Sequence, residues 1–137
     1  MIKDTHKPLG KPTDEEIQFL LESGYLCRDL GRHQEAVDIF LGIAALLPDN
    51  PLPDTSIGGV LLASGRVEEA REQLEKTLRQ YPDDPFTLAH LGEVSLCRKE
   101  PEQTRTYFQR AAEKDPQGPG GQMARSYLEL MREVDKK

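Results

Sequence analysis

Gly24, Gly58 and Gly92 stand 34 residues apart, and Pro48, Pro82 and Pro116 keep the same interval. A fixed period of 34 is the length of one helix-turn-helix unit in a stacked array, so this double register constrains the fold before any local pattern does. A unit of that kind cannot bury its apolar face alone. Stacking on neighbours supplies the core, and the expected class is all-α.

Aligned on the glycines, the units run 17–50, 51–84 and 85–118. Gly31 and Gly65 share a position suited to ending a helix, and Lys99 fills that slot in the third unit, so the turn there is expected to close differently, with Pro101 placed to open the next helix. The prolines at 48, 82 and 116 follow each second helix and stop it. Asp54 stands where Leu20 and Leu88 stand in the other units, so the first helix of unit two is expected to start late with Asp54 as its cap. Thr13-Asp14-Glu15-Glu16 reads as a capping box that starts the first helix. Residues 1–12 read as a flexible tail, and residues 13–137 as one domain. Gln117-Gly118-Pro119-Gly120-Gly121 reads as a flexible joint before an amphipathic capping helix over 121–135, with Met123, Tyr127, Leu130, Met131 and Val134 at helical spacing.

A net charge of −6 without a basic cluster argues against nucleic acid or an anionic membrane as partner, since both demand Lys and Arg against phosphate. No run of about 18 apolar residues is present to span a bilayer. No apolar signal segment follows Met1, and the expected location is cytoplasmic. Cys27 and Cys97 fit no metal or redox spacing and read as small buried hydrophobes. His33 reads as an exposed turn residue. His90 and Glu93 are three apart on one helix, too sparse a pair for a metal site. Neither a nucleophile elbow nor a phosphate loop occurs, so no enzyme activity, cofactor or metal is expected.

The shared slots resemble the tetratricopeptide repeat family over about residues 14–118. They are Gly24, Gly58 and Gly92; Ala36, Ala70 and Thr104; Phe40, Leu74 and Phe108; Ile43, Thr77 and Ala111; and Pro48, Pro82 and Pro116. Thr77 and Thr104 depart from the family's small or apolar residues, so looser packing is expected around units two and three. The resemblance implies a right-handed helical solenoid of three units plus the C-terminal cap, with the first helices lining a concave face. Carried onto this chain, it implies a partner-binding groove of Leu21, Tyr25, Arg28, Leu52, Leu62, Phe86, Ala89, His90, Glu93 and Leu96. The cations and Asn residues with which some members grip a terminal carboxylate are missing there, with Arg28 the single positive charge. The implied partner is a protein or peptide with an apolar segment, bound as by a chaperone or adaptor. Size and groove composition are similar to the tetratricopeptide chaperones of type III secretion. The alternative occupant of the same face is a second copy of the chain, meeting Ile17, Leu21 and Tyr25 as a homodimer or scaffold.

Overall fold

Side-chain capping by Thr13 and Asp84 starts two of the helices, and Pro53, Pro85, Pro101 and Pro119 stand in the first turns of four. The Glu16 amide donates to Thr13 Oγ1 at 3.1 Å, and the Thr13 amide donates to Glu16 Oε1 at 2.9 Å, which closes the capping box of α1 (Asp14–Asp29). Then come α2 (His33–Leu46), α3 (Leu52–Ala63), α4 (Val67–Gln80), α5 (Pro85–Cys97), α6 (Pro101–Lys114) and α7 (Pro119–Asp135). A computed structural model describes residues 10–136 and contains helices and no strand among them. The proposed tail falls mostly on residues 1–9, outside the described residues. No helix among the described residues is long and apolar enough to cross a membrane.

Each turn between paired helices is closed by a residue with left-handed backbone: Gly31 at φ 78°, Gly65 at φ 83° and Lys99 at φ 59°. The third turn therefore has the same shape as the first two, and a side chain is held where glycine is strain-free. That conformation costs an ordinary residue about 1 kcal/mol or more. Lys99→Gly is expected to raise stability by roughly 0.5 kcal/mol once glycine's greater freedom in the unfolded chain is subtracted. Thermal melting measures it, and an unchanged or lower Tm would count against strain at Lys99.

The third turn, expected to close differently, closes as the first two do, and further local expectations are corrected. α3 begins at Leu52 and not at Asp54, because Asn50 Oδ1 accepts the Leu52 amide at 2.9 Å and Pro53 is buried in the first turn. Thr77 and Thr104 do not loosen the array. Both are fully buried, and their hydroxyls donate back to the carbonyls of Gln73 (2.9 Å) and Glu100 (2.8 Å), which lets a polar side chain fill an apolar slot. His33 opens α2 half-buried, Cys27 is half-buried and Cys97 is exposed, so neither the turn histidine nor the pair of buried cysteines is found as expected.

The helices stack in chain order, α1 on α2 through to α6 on α7, and the first helices also pack on one another, α3 on α5 and α5 on α7. The core is layered accordingly. One cluster centres on Phe40 and Ile43, a second on Leu74, Leu91 and Val94, and a third on Leu88, Phe108 and Ala124. The repeated glycines sit where first and second helices cross. A Cβ on Gly24 would lie 2.6 Å from Phe40 Cζ, one on Gly58 would lie 2.5 Å from Leu74 Cδ2, and one on Gly92 would overlap the Phe108 ring.

The register extends beyond the third unit. Pro51, Pro85 and Pro119 are also 34 apart, so α7 occupies the place of a first helix in a fourth unit. Where α5 presents buried Leu88, Leu91, Gly92 and Ser95 to its partner helix, α7 presents exposed Gln122, Arg125, Ser126 and Glu129. These four positions give α7 a polar outer face, as a terminal cap needs, with Leu130 and Val134 exposed farther along the helix. The glycines before it do not form a flexible joint. Gly120 and Gly121 are buried in the first turn of α7, where a Cβ on Gly120 would lie 2.6 Å from the Phe86 nitrogen and one on Gly121 would overlap the Asp115 carbonyl.

Candidate functional site

The face formed by the first, or A, helices of the units carries a cleft of about 570 Å³ lined by Gln18, Leu21, Tyr25 and Arg28 of α1, by Leu52 of α3, and by Phe86 with Pro85 at the start of α5. Its far wall is Asp84, Asp115, Pro119 and Gly120, from the turns into α5 and α7. The cleft exists because α1 stands off from α3 and is tied to it by the Tyr25 hydroxyl and Ser56 Oγ at 2.9 Å. Tyr25 is held from behind by Phe40, with ring centroids 5.1 Å apart, so its position is fixed by the core of unit one. A volume of this size falls within the range that encloses a few side chains or a small ligand.

Five of the ten residues expected in the groove line this cleft: Leu21, Tyr25, Arg28, Leu52 and Phe86. The other five do not. Ala89 is fully buried under α6 and α7, and Leu62 packs half-buried against the cluster around Leu74 and Leu91. Leu96 is exposed on the surface outside the cleft. His90 and Glu93 lie beneath the A-helix face and face each other: His90 Nδ1 donates to Glu93 Oε1 at 2.7 Å, and the Tyr127 hydroxyl donates to Glu93 Oε2 at 2.6 Å. The His90 ring also meets Phe86 edge-on at 4.6 Å and lies close to Gly59, where a Cβ would stand 3.3 Å from its Cε1. Burial pushes the Glu93 carboxyl upward, but His90, the Tyr127 hydroxyl and the charge of Arg28 together hold it below 4.5. Burial and the bond to Glu93 push the Tyr127 phenol well above its ordinary value.

Arg28 brings less charge to the cleft than its position suggests. Its Nε and terminal nitrogen both reach Asp29 Oδ1 at 2.9 Å, and its guanidinium lies 5.1 Å above the Tyr25 ring. Asp84 and Asp115 are cleft residues that the helix-face pattern missed, because they stand in turns ahead of the helices. The proline register at 51, 85 and 119 is the signal that marks those turns. Asp84 Oδ2 accepts from the Thr87 amide at 2.9 Å and from its hydroxyl at 2.7 Å, and Thr87 in turn meets Thr55 at 2.7 Å. No group of three or more His, Cys, Asp or Glu side chains arranged to hold a metal occurs among the described residues.

Residues 28–93 match the tetratricopeptide repeat family. No curated protein matches the chain in sequence. Among solved structures, the chain is similar to the type III secretion translocator chaperone SycD of Yersinia enterocolitica, with a TM-score of 0.69 at 17% identity over 90% of this chain and 94% of that one. It is similar to PcrH in complex with the chaperone binding region of PopD, with a TM-score of 0.65 at 17% identity over 93% and 99%. The first tetratricopeptide domain of Spaghetti (RPAP3), bound to the HSP90 peptide SRMEEVD, gives a TM-score of 0.66 at 15% identity over 93% and 98%.

Proposed function

This chain is a tetratricopeptide-repeat protein, and from that premise we propose that it holds an apolar segment of another protein in the cleft along its first helices, with no chemistry of its own. The observation that carries the reading is the cleft itself, in which Leu21, Leu52 and Phe86 present apolar surface on a rigid scaffold. A concave apolar site framed by a few fixed polar groups is the arrangement that receives a peptide side chain. SycD and PcrH share this fold at nearly full length, and PcrH is seen with the chaperone binding region of PopD. By that analogy the protein is a chaperone of the type III secretion kind, shielding an export substrate before its release.

Fluorescence anisotropy with labelled dodecapeptides containing one Leu and one Phe tests the reading. Phe86→Glu places a carboxylate against the apolar ligand, and the cost of desolvating it is expected to weaken binding at least tenfold. Leu96→Glu adds the same charge on an exposed residue outside the cleft and is expected to leave affinity unchanged. Equal affinity of Phe86→Glu and the wild type would remove the cleft as the site. The same samples test the alternative occupant, a second copy of the chain. Self-association through the face of Ile17, Leu21 and Tyr25 would appear in light scattering as a mass that rises with protein concentration.

A further inference from the structure

The cleft's two walls differ in charge. Arg28, on the α1 wall, is already paired with Asp29. On the opposite wall stand two carboxylates, Asp84 and Asp115. The cations around that wall are engaged elsewhere: Arg110 and Lys114 lie 3.6 and 3.7 Å from the carboxylate of Asp83, and Arg125 donates to the Pro116 carbonyl at 3.2 Å. Asp84 caps α5 with both of its bonds on Oδ2, and Asp115, at the end of α6, accepts the Gly118 amide on Oδ1 at 3.1 Å in the turn before α7. Among the described residues no hydrogen bond reaches Asp84 Oδ1 or Asp115 Oδ2. The N-termini of α5 and α7 each contribute about half a positive charge and the C-terminus of α6 about half a negative one, so the two carboxylates keep this wall net negative.

Resting on the reading of the cleft as a peptide site, we propose that it selects a partner segment carrying a basic side chain beside its apolar one. The apolar residue packs among Leu21, Leu52 and Phe86, and the Lys or Arg meets the free oxygens of Asp84 and Asp115. This is the reverse of the charge preference implied by an acidic peptide such as SRMEEVD, which is bound by Spaghetti. Like charge across the cleft would turn such a peptide away, and opposite charge also sets the direction in which a segment lies, cation toward α5 and α7.

The test uses three dodecapeptides of one apolar pattern, with Lys, Gln or Glu in the positions flanking the Leu and Phe. At low salt the Lys peptide is expected to bind roughly tenfold more tightly than the Glu peptide, with the Gln peptide between them. The ranking is expected to shrink in high salt while the apolar part of the affinity remains. Asp84→Asn with Asp115→Asn deletes both charges and keeps side chains that cap helices well, so the double variant is expected to fold and to bind all three peptides alike. Equal affinities in the wild type, or a ranking that survives the double substitution, would overturn the charge preference and leave the apolar cleft standing. If none of the three binds, the peptide-site reading fails, and the inference goes with it.

Discussion

Gly92→Leu is expected to lower the stability of the array by roughly 3 kcal/mol, the upper end of the range for overpacking a core. The reason lies in what surrounds Phe108. Its ring is fully buried, a Cβ on Gly92 would overlap it from one side, and the Tyr127 ring is stacked on it at 4.7 Å with an interplanar angle of 5°. Retreat from a side chain at 92 would drive Phe108 into Tyr127 and break the contact that holds α7. Even Gly92→Ala is expected to destabilise, since the clash outweighs the gain of about 1 kcal/mol in helix propensity. The repeat supplies its own controls. A Cβ on Gly24 would meet the tip of the Phe40 ring, Cζ at 2.6 Å, whereas one on Gly58 would also meet Leu74 Cγ at 2.6 Å, an atom that methyl rotation does not move. Gly24→Ala is therefore expected to be the mildest of the three alanine substitutions. Thermal melts of the alanine series and of Gly92→Leu, whose expected loss corresponds to about 10 °C, decide the matter. A Gly92→Leu protein that melts with the wild type would show that the crossing does not need a glycine.

The register of the helices was legible because a 34-residue period repeats the same packing demand three times. Gly24, Gly58 and Gly92 mark crossings, but the left-handed turn at 99 was hidden, because lysine in the slot of Gly31 and Gly65 points to a different closure. What local pattern could not supply was context. Thr77 and Thr104 read as misfits in an apolar slot until their hydroxyls are seen to bond one turn back, which satisfies them without any tertiary partner. The run Gly118-Pro119-Gly120-Gly121 reads as a joint by composition. In the fold, Gly120 and Gly121 are needed because α7 begins against the backbone of residues 85–86 and 115, with no room for a Cβ. The same glycine chemistry serves a loose chain and a close approach, and only packing tells them apart.

The site was legible where it depends on one helix face and obscure where it depends on the spacing between helices. Leu21, Tyr25, Leu52 and Phe86 lie near the N-terminal halves of their helices or face the gap between α1 and α3, and all reach the cleft. Ala89 and His90 share the same helical face in the third unit, but α5 packs tightly on both α3 and α7, which closes the surface over them. Asp84 and Asp115 were missed because a periodicity argument follows helices and passes over the turns between them. They contribute the charge that a list of apolar groove residues leaves out.

Glu93 is the remaining place where burial and charge meet, and Glu93→Gln should reveal itself through pH. The carboxylate takes hydrogen bonds from His90 on its own helix and from Tyr127 on α7, with Arg28 of α1 adding favourable charge, so it joins the first, third and fourth units' first helices. Glutamine can accept from one of the two donors but turns an amide toward the other. The expected loss near neutral pH is about 2 kcal/mol, toward the lower end for bonds to a charged group because the side chain keeps some exposure to water. The folded protein holds this carboxyl below 4.5, so its contribution is complete above that value and is lost as the pH falls through the lower, folded value. The stability gap between the wild type and Glu93→Gln is therefore expected to be open above pH 4.5 and to narrow as the pH falls below it. Denaturant unfolding of both proteins across that range measures it. A gap that persists undiminished into acid would mean that glutamine disturbs packing and that the charge on Glu93 contributes nothing to holding the cap. A gap that closes would make the His90–Glu93–Tyr127 link an electrostatic fastening of α7 to the array, one that loosens in acid at the wall opposite α1.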